Sequence, residues 1–182
     1  MEPVPPSLGP WPSVGRSRGA RTGAPRFALS LALFLAAAAC PVPGLAQKVR
    51  ITNLSDVDFG LISNLQADAR RSQNVCVFSN SSGDRYSITA SGSGAGSSFA
   101  LTNGSNSLAY EVQWSAQSGQ TSGTSLAPNV TVTGQTSSAT QQSCNSGPAA
   151  SASLTVILRA SSLAQAREGN YSGSLTLLVA AE

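Results

Sequence analysis

The chain has no histidine, and its one lysine is Lys48. Without an imidazole there is no ordinary general base near neutral pH and no Ser-His-Asp triad, so its many serines have nothing to activate them. Zinc sites built on histidine are excluded too. Charge is scarce: Asp, Glu, Lys and Arg together make up 10% of the residues. Asp56 and Asp58 form the one tight carboxylate pair. Calcium takes about six to eight oxygen ligands, so the pair reads as a solvent-facing strand edge and not as a metal site. There is no CxxC motif and no amphipathic helical pattern of useful length. The expectation is a protein that is not an enzyme and needs no metal or cofactor.

Long apolar runs are also missing, except at residues 27–39. That run is uncharged and follows Arg16, Arg18, Arg21 and Arg26. It is shorter than the ~20 residues needed to cross a bilayer, and Gly44-Leu45-Ala46 follows it as a small-x-small cleavage pattern. Residues 1–46 therefore read as an N-terminal extension and secretory signal peptide, cleaved after Ala46, and residues 47–182 as one mature domain with no membrane span. The alternative is a lipoprotein acylated at Cys40. Residues 1–46 hold four of the eleven basic residues and one of the eight acidic ones, so the stretch from Gln47 onward carries seven of each. A neutral, Ser/Thr/Gly-rich surface has no basic footprint for nucleic acid. Once Cys40 leaves with the leader, Cys76 and Cys144 remain. In an oxidising compartment this pair reads as a disulfide.

What the chain does have is short alternating apolar runs separated by Gly, Ser, Asn and Asp. They fall at 49–54, 57–62, 75–78, 86–90, 99–101, 108–114, 130–133, 153–159 and 171–179. Leu108, Tyr110, Val112 and Trp114 share one face of their run, and Leu154, Val156 and Leu158 point inward from theirs. Tyr110 and Trp114 are either core aromatics or a sugar-stacking platform. Residues 63–72 read as a polar loop with Arg70 and Arg71 as a solvated pair. Residues 115–125 and 135–149 read as loops, the second held down by Cys144. Residues 91–97 have GxGxG spacing, but a strand follows where a phosphate-binding loop needs a helix. Residues 161–168 suit one helical turn. Eight or nine short strands at this spacing predict an all-β sandwich, with a jelly roll or small barrel as variants.

The last run is the most informative. Tyr171, Leu175, Leu177 and Val179 fall on one face, with Ser172, Ser174 and Thr176 on the other. Loose termini are usually polar, so an apolar strand here must be tied to a sheet. Residues 47–54 are its natural counterpart. Through Val49 and Ile51 they serve either as a donor strand for another molecule or as this chain's own first strand.

Four segments together resemble the spore coat protein U family, the subunits of archaic chaperone-usher pili. They are Val57-Asp58-Phe59-Gly60, Val75-Cys76-Val77, Leu108-Ala109-Tyr110-Glu111-Val112, and the closing Gly169-Asn170-Tyr171-Ser172-Gly173-Ser174-Leu175-Thr176-Leu177. The resemblance implies an immunoglobulin-like, pilin-type sandwich that lacks one strand. It also implies partners: a periplasmic chaperone that lends the strand, neighbouring subunits that replace it, and an outer-membrane usher that exports the fibre. The implied location is the periplasm and then the cell surface, as part of a pilus, fimbria or coat. The implied strand-exchange edge is Tyr171, Leu175, Leu177 and Val179. Family members commonly carry a cysteine before the Phe-Gly motif, and this chain has none there, which leaves Cys144 for Cys76. The alternative function is a self-contained, non-enzymatic adhesive sandwich that binds carbohydrate through Tyr110 or Trp114.

Overall fold

The computed structural model describes residues 46–182. The predicted leader, including Cys40, therefore lies outside the described residues, Ala46 excepted. The strands are β1 (Val49–Thr52), β2 (Ala69–Ser79), β3 (Arg85–Gly92), β4 (Ala100–Asn103), β5 (Asn106–Ala109), β6 (Glu111–Ser115), β7 (Thr124–Leu126), β8 (Thr131–Thr136), β9 (Ala152–Leu158) and β10 (Leu175–Ala181), with a helical turn α1 (Ala160–Leu163) before the last. One sheet has the order β1-β2-β9-β6-β7 and another the order β10-β3-β8, while β4 and β5 form a separate hairpin. The pairings are antiparallel. The predicted all-β sandwich with one disulfide is the observed fold.

Alternation explains the core. Val75 and Val77 of β2, Val112 and Trp114 of β6, and Leu154, Val156 and Leu158 of β9 come from one sheet. They meet Tyr86, Ile88 and Ala90 of β3 from the other. Trp114 donates from Nε1 to the Tyr86 hydroxyl at 3.1 Å. This satisfies the one polar atom of a buried indole. Burial pushes the Tyr86 phenol up to about 12, despite the opposing pull of the Trp114 hydrogen bond.

Several expectations need correction. The run 108–114 is not one strand. It breaks at Tyr110, whose N–H donates to the Phe99 carbonyl at 3.0 Å. Before the break, β5 pairs with β4; after it, β6 pairs with β9 and β7. Leu108, Tyr110, Val112 and Trp114 are all buried nonetheless, because the alternation continues through the switch between sheets. Strand β9 is buried on both faces. Its outer side is covered by residues 115–123: Ser153 donates from Oγ to Gln117 O at 2.8 Å, and Gln120 N donates to Ser153 Oγ at 3.0 Å. The Thr155 and Ser72 hydroxyls pair at 2.8 Å. The supposed loop 63–72 includes the start of β2, and β7 forms in the supposed loop 115–125. The run 57–62 forms no strand. Its backbone turns at Gly60, whose N–H is held by Asp58 Oδ1 at 2.7 Å.

Cys76 and Cys144 are bonded, with their Cα atoms 6.0 Å apart. Cys76 and Phe78 lie on the opposite face of β2 from Val75 and Val77, and they pack with Ala139 and Cys144 in a second small cluster. The bond pins the irregular segment before β9 over that face. A cross-link enclosing this many residues removes roughly 4 kcal/mol worth of freedom from the unfolded chain. Reduction is therefore expected to lower the urea midpoint substantially, by the equivalent of about 2–4 kcal/mol. An unchanged midpoint after verified reduction contradicts this.

Where β2 and β6 begin and β9 finishes, Arg159 bridges two acids. It lies 2.8 Å from Asp68 Oδ2 and also pairs with Glu111 Oε2. Asp68 Oδ1 accepts from Ala160 N at 2.9 Å at the start of α1. The Ala160 hydrogen bond, then Arg159, hold the Asp68 carboxyl below its ordinary value, and Arg159 does the same for Glu111. Groups depressed in the folded state stabilise it above their unfolded pKa, and that contribution is lost as pH falls through the folded values. These groups are well exposed, so the effect is small. Arg159→Met is expected to lower the urea midpoint at pH 7 and to differ less from the parent at pH 3. A difference that does not shrink with acid rules out the linkage.

Candidate functional site

A sheet edge offers unpaired N–H and C=O groups, so the edges are where another chain can add. Four strands lie at edges of the two larger sheets: β1, β7, β8 and β10. Strand β7 has three residues. Strand β8 slips register against β3 between Tyr86 and Ile88, near Gly134 with its φ of 72°. A bulge of this kind bends an edge away from further pairing. By contrast, β10 pairs with β3 over seven residues without a slip.

The register of β10 fixes which groups are unpaired. Glu182 N donates to Arg85 O at 3.3 Å. Hydrogen-bonded and non-bonded pairs alternate along an antiparallel ladder. Positions 180, 178 and 176 therefore bond to β3 as 182 does. Leu175, Leu177, Val179 and Ala181 turn their N–H and C=O groups to the open edge. Their side chains are also the half-buried ones, while Thr176, Leu178 and Ala180 are exposed.

Beside this edge lies a groove of about 1290 Å³. Leu175, Leu177 and Tyr171 form one wall. Leu154, Val156 and Leu158 of β9, with Leu101, Leu108 and Tyr110, line the floor, and Leu163 of α1 lines it too. Tyr110 stacks on Phe99 with ring centroids 5.6 Å apart, and its hydroxyl donates to Ser174 O at 3.5 Å. Burial raises its phenol above the ordinary value. Tyr171 is not part of β10. Ser172 is bridged to Thr102, and the Tyr171 hydroxyl accepts from Arg167 N at 3.2 Å.

The opposite wall is the irregular segment 54–63. Among the described residues it makes no backbone–backbone hydrogen bond of its own. Side chains of β2 hold it instead. Gln73 accepts from Ser55 N at 2.9 Å and donates to Ser55 O at 3.0 Å, imitating a backbone partner. Arg71 donates from Nε to Asp58 O at 3.1 Å, and its guanidinium lies 5.8 Å from the Phe59 ring centroid. Arg71 is therefore not a solvated partner of Arg70 but a clamp. Leu61, on this segment, is 95% exposed. Sequence reasoning missed this wall, and its one usable signal was the Asp58-x-Gly60 turn.

The other predicted residues separate clearly. Val49 and Ile51 lie in β1, paired with Ser79 and Val77 of β2, so residues 49–52 are this chain's own first strand. Val179 lies in β10 but outside the groove lining. Tyr110 and Trp114 are buried, to 7% and 1% exposure, and present no sugar-stacking face. Asp58 is committed to Gly60. Among the described residues no group of three or more His, Cys, Asp or Glu side chains is placed to hold a metal, and no helix is long and apolar enough to cross a membrane.

No protein-family model matches the chain, and no curated protein sequence matches it. Among solved structures, the chain is similar to one described as "Chaperone-tip adhesin complex is vital for synergistic activation of CFA/I fimbriae biogenesis". The TM-score is 0.48 at 12% identity, over 75% of this chain and 41% of the other, so this chain spans less than half the length of that one.

Trp114→Ala is expected to lower the unfolding free energy by about 3–5 kcal/mol, the range for emptying an aromatic core site. Urea denaturation checks it. A variant as stable as the parent contradicts the core assignment.

Proposed function

We propose that this protein is an exported, non-enzymatic structural subunit of a pilus, fimbria or coat. On this reading its sandwich is completed by an extended strand from another polypeptide, laid in the groove beside β10. The observation that carries the reading is the coincidence at Leu175 and Leu177. At both residues the unpaired backbone groups and an inward apolar side chain belong to one open edge, above an apolar floor. A strand added there gains main-chain bonds from the edge and fills the floor with its alternate side chains. Each apolar side chain so buried contributes about 1.5–3 kcal/mol.

The resemblance to spore coat protein U subunits supports the same reading independently of the groove. From it come the expected partners: a periplasmic chaperone, an outer-membrane usher and neighbouring subunits. Export across the inner membrane rests on the leader read in residues 1–46. An unfilled groove of this kind is an aggregation hazard, which is the physical reason a chaperone would be needed before assembly.

The test is thermal unfolding of the purified protein with a synthetic peptide of residues 47–56, whose Val49 and Ile51 supply alternate apolar side chains. At a hundredfold excess over Kd, binding stabilises the fold by about 2.7 kcal/mol, a rise in Tm of roughly 10 °C for a domain of this size. A monomeric protein whose Tm ignores the peptide sinks the proposal.

A further inference from the structure

The open edge of β10 is not equally open along its length. Strands β2 and β3 are joined by the turn 80–84. Strand β1 pairs with β2, and β10 with β3, so their positions can be compared through that turn. Val49 lies opposite Ser79, just before the turn, and Ala181 lies opposite Tyr86, just after it. Asn80 N donates to Lys48 O at 3.0 Å, and Lys48 N returns a bond to the Asn80 side chain. The start of β1 is therefore level with the end of β10, the two run in opposite senses, and they lie against each other. The ladder through Lys48 and Asn80 makes 50 and 52 the positions of β1 that bond to β2. Val49 and Ile51 turn their own unpaired groups away from β2, and their side chains pack on the main core.

Strand β1 stops at Thr52. The next residue, Asn53, has a φ of 63°, a left-handed conformation that Asn tolerates better than most side chains. This kink carries the chain off the line of β1 to the Gln73 and Arg71 clamps. The groove begins where β1 leaves: Leu54, Leu175 and Leu177 line it, and Val179 does not.

We infer that the groove accepts only a short strand, paired with the 173–177 stretch, because this chain's own β1, though not hydrogen-bonded to β10, already occupies the space beside the Val179–Ala181 end. At ~3.4 Å per residue that stretch is about 17 Å long. Its occupant is an extended segment of about five residues with two inward apolar side chains, set against Leu175 and Leu177. This inference rests on the strand-addition reading above and adds the length and register of the partner.

Amide hydrogen exchange on the isotope-labelled protein with the unlabelled peptide of residues 47–56 tests it. At saturation the amides of Leu175 and Leu177 are expected to slow at least tenfold. Those of Val179, Ala181, Arg50 and Thr52 should keep their rates. If Val179 and Ala181 also slow while Arg50 and Thr52 speed up, the occupant has displaced β1 and the inference is wrong, although strand addition stands. If none of the four β10 amides changes, strand addition itself fails.

Discussion

Everything about the groove follows from the rule that backbone N–H and C=O groups must find partners or water. Strand β10 meets that rule on one side only. Its bonds to β3 consume the groups at even positions, and the inward apolar side chains at odd positions keep the unpaired groups next to the core. A polar edge strand would be at ease in water. An apolar one cannot solvate its backbone fully without wetting Leu175 and Leu177. The two demands conflict at the same residues, and a second strand resolves both.

Elsewhere, the unpartnered Thr52 hydroxyl excepted, the chain meets its buried polar groups with hydroxyls in place of charges. Ser151 Oγ accepts from Val77 N at 2.9 Å and donates to Val77 O at 2.7 Å, and Ser137 Oγ also donates to Val77 O. Ser79 Oγ donates to Arg85 O at 2.9 Å, with Ser81 Oγ on the same carbonyl. A hydroxyl both donates and accepts in a small volume. It can repair backbone irregularities around the disulfide and the 80–84 turn without burying an ion. The abundance of serine, which gives no sign of a nucleophile, has this structural use. The same economy governs segment 54–63, where the Gln73 amide stands in for an absent backbone partner.

Much of the core could be read from period-two alternation, since an inward residue stays inward whichever sheet it joins. That is why Leu108, Tyr110, Val112 and Trp114 came out on one face although the strand changes partners at Tyr110. The change itself leaves no mark in the pattern. The buried outer face of β9 was invisible for a different reason: the loop covering it lies more than 30 residues away in sequence, and Ser153 and Thr155 look like surface residues. At the site, Leu175 and Leu177 were legible as one face of the last run. Tyr171 looked like their continuation, but the bridge from Ser172 to Thr102 takes it out of the strand. The run 57–62 looked like a strand because its apolar residues alternate, whereas the Asp58–Gly60 turn redirects its backbone. Alternation reports side-chain burial. It does not report whether backbone groups are paired, and the groove is defined by that pairing.

The two ends of the domain can then be weighed against each other. Residues 49–52 lie beside the end of β10, but their hydrogen bonds go to β2. On β2 they gain a full ladder beside Cys76 and Val77, both wholly buried. Continuing along β10 past Thr52 would require Asn53 to leave its left-handed conformation and the Gln73 and Arg71 clamps to open. Each clamp is a modest interaction, with a neutral hydrogen bond worth about 0.5–1.5 kcal/mol and a bond from a charged donor about 1.5–3. Together with the turn at Gly60 they hold segment 54–63 as a wall and keep it from becoming the missing strand. A chain tuned only for its own stability would close this gap with its own residues. Here the residues nearest the gap are tied away from it by the Gln73 and Arg71 side chains, and the gap beside Leu175 and Leu177 stays unfilled by this chain.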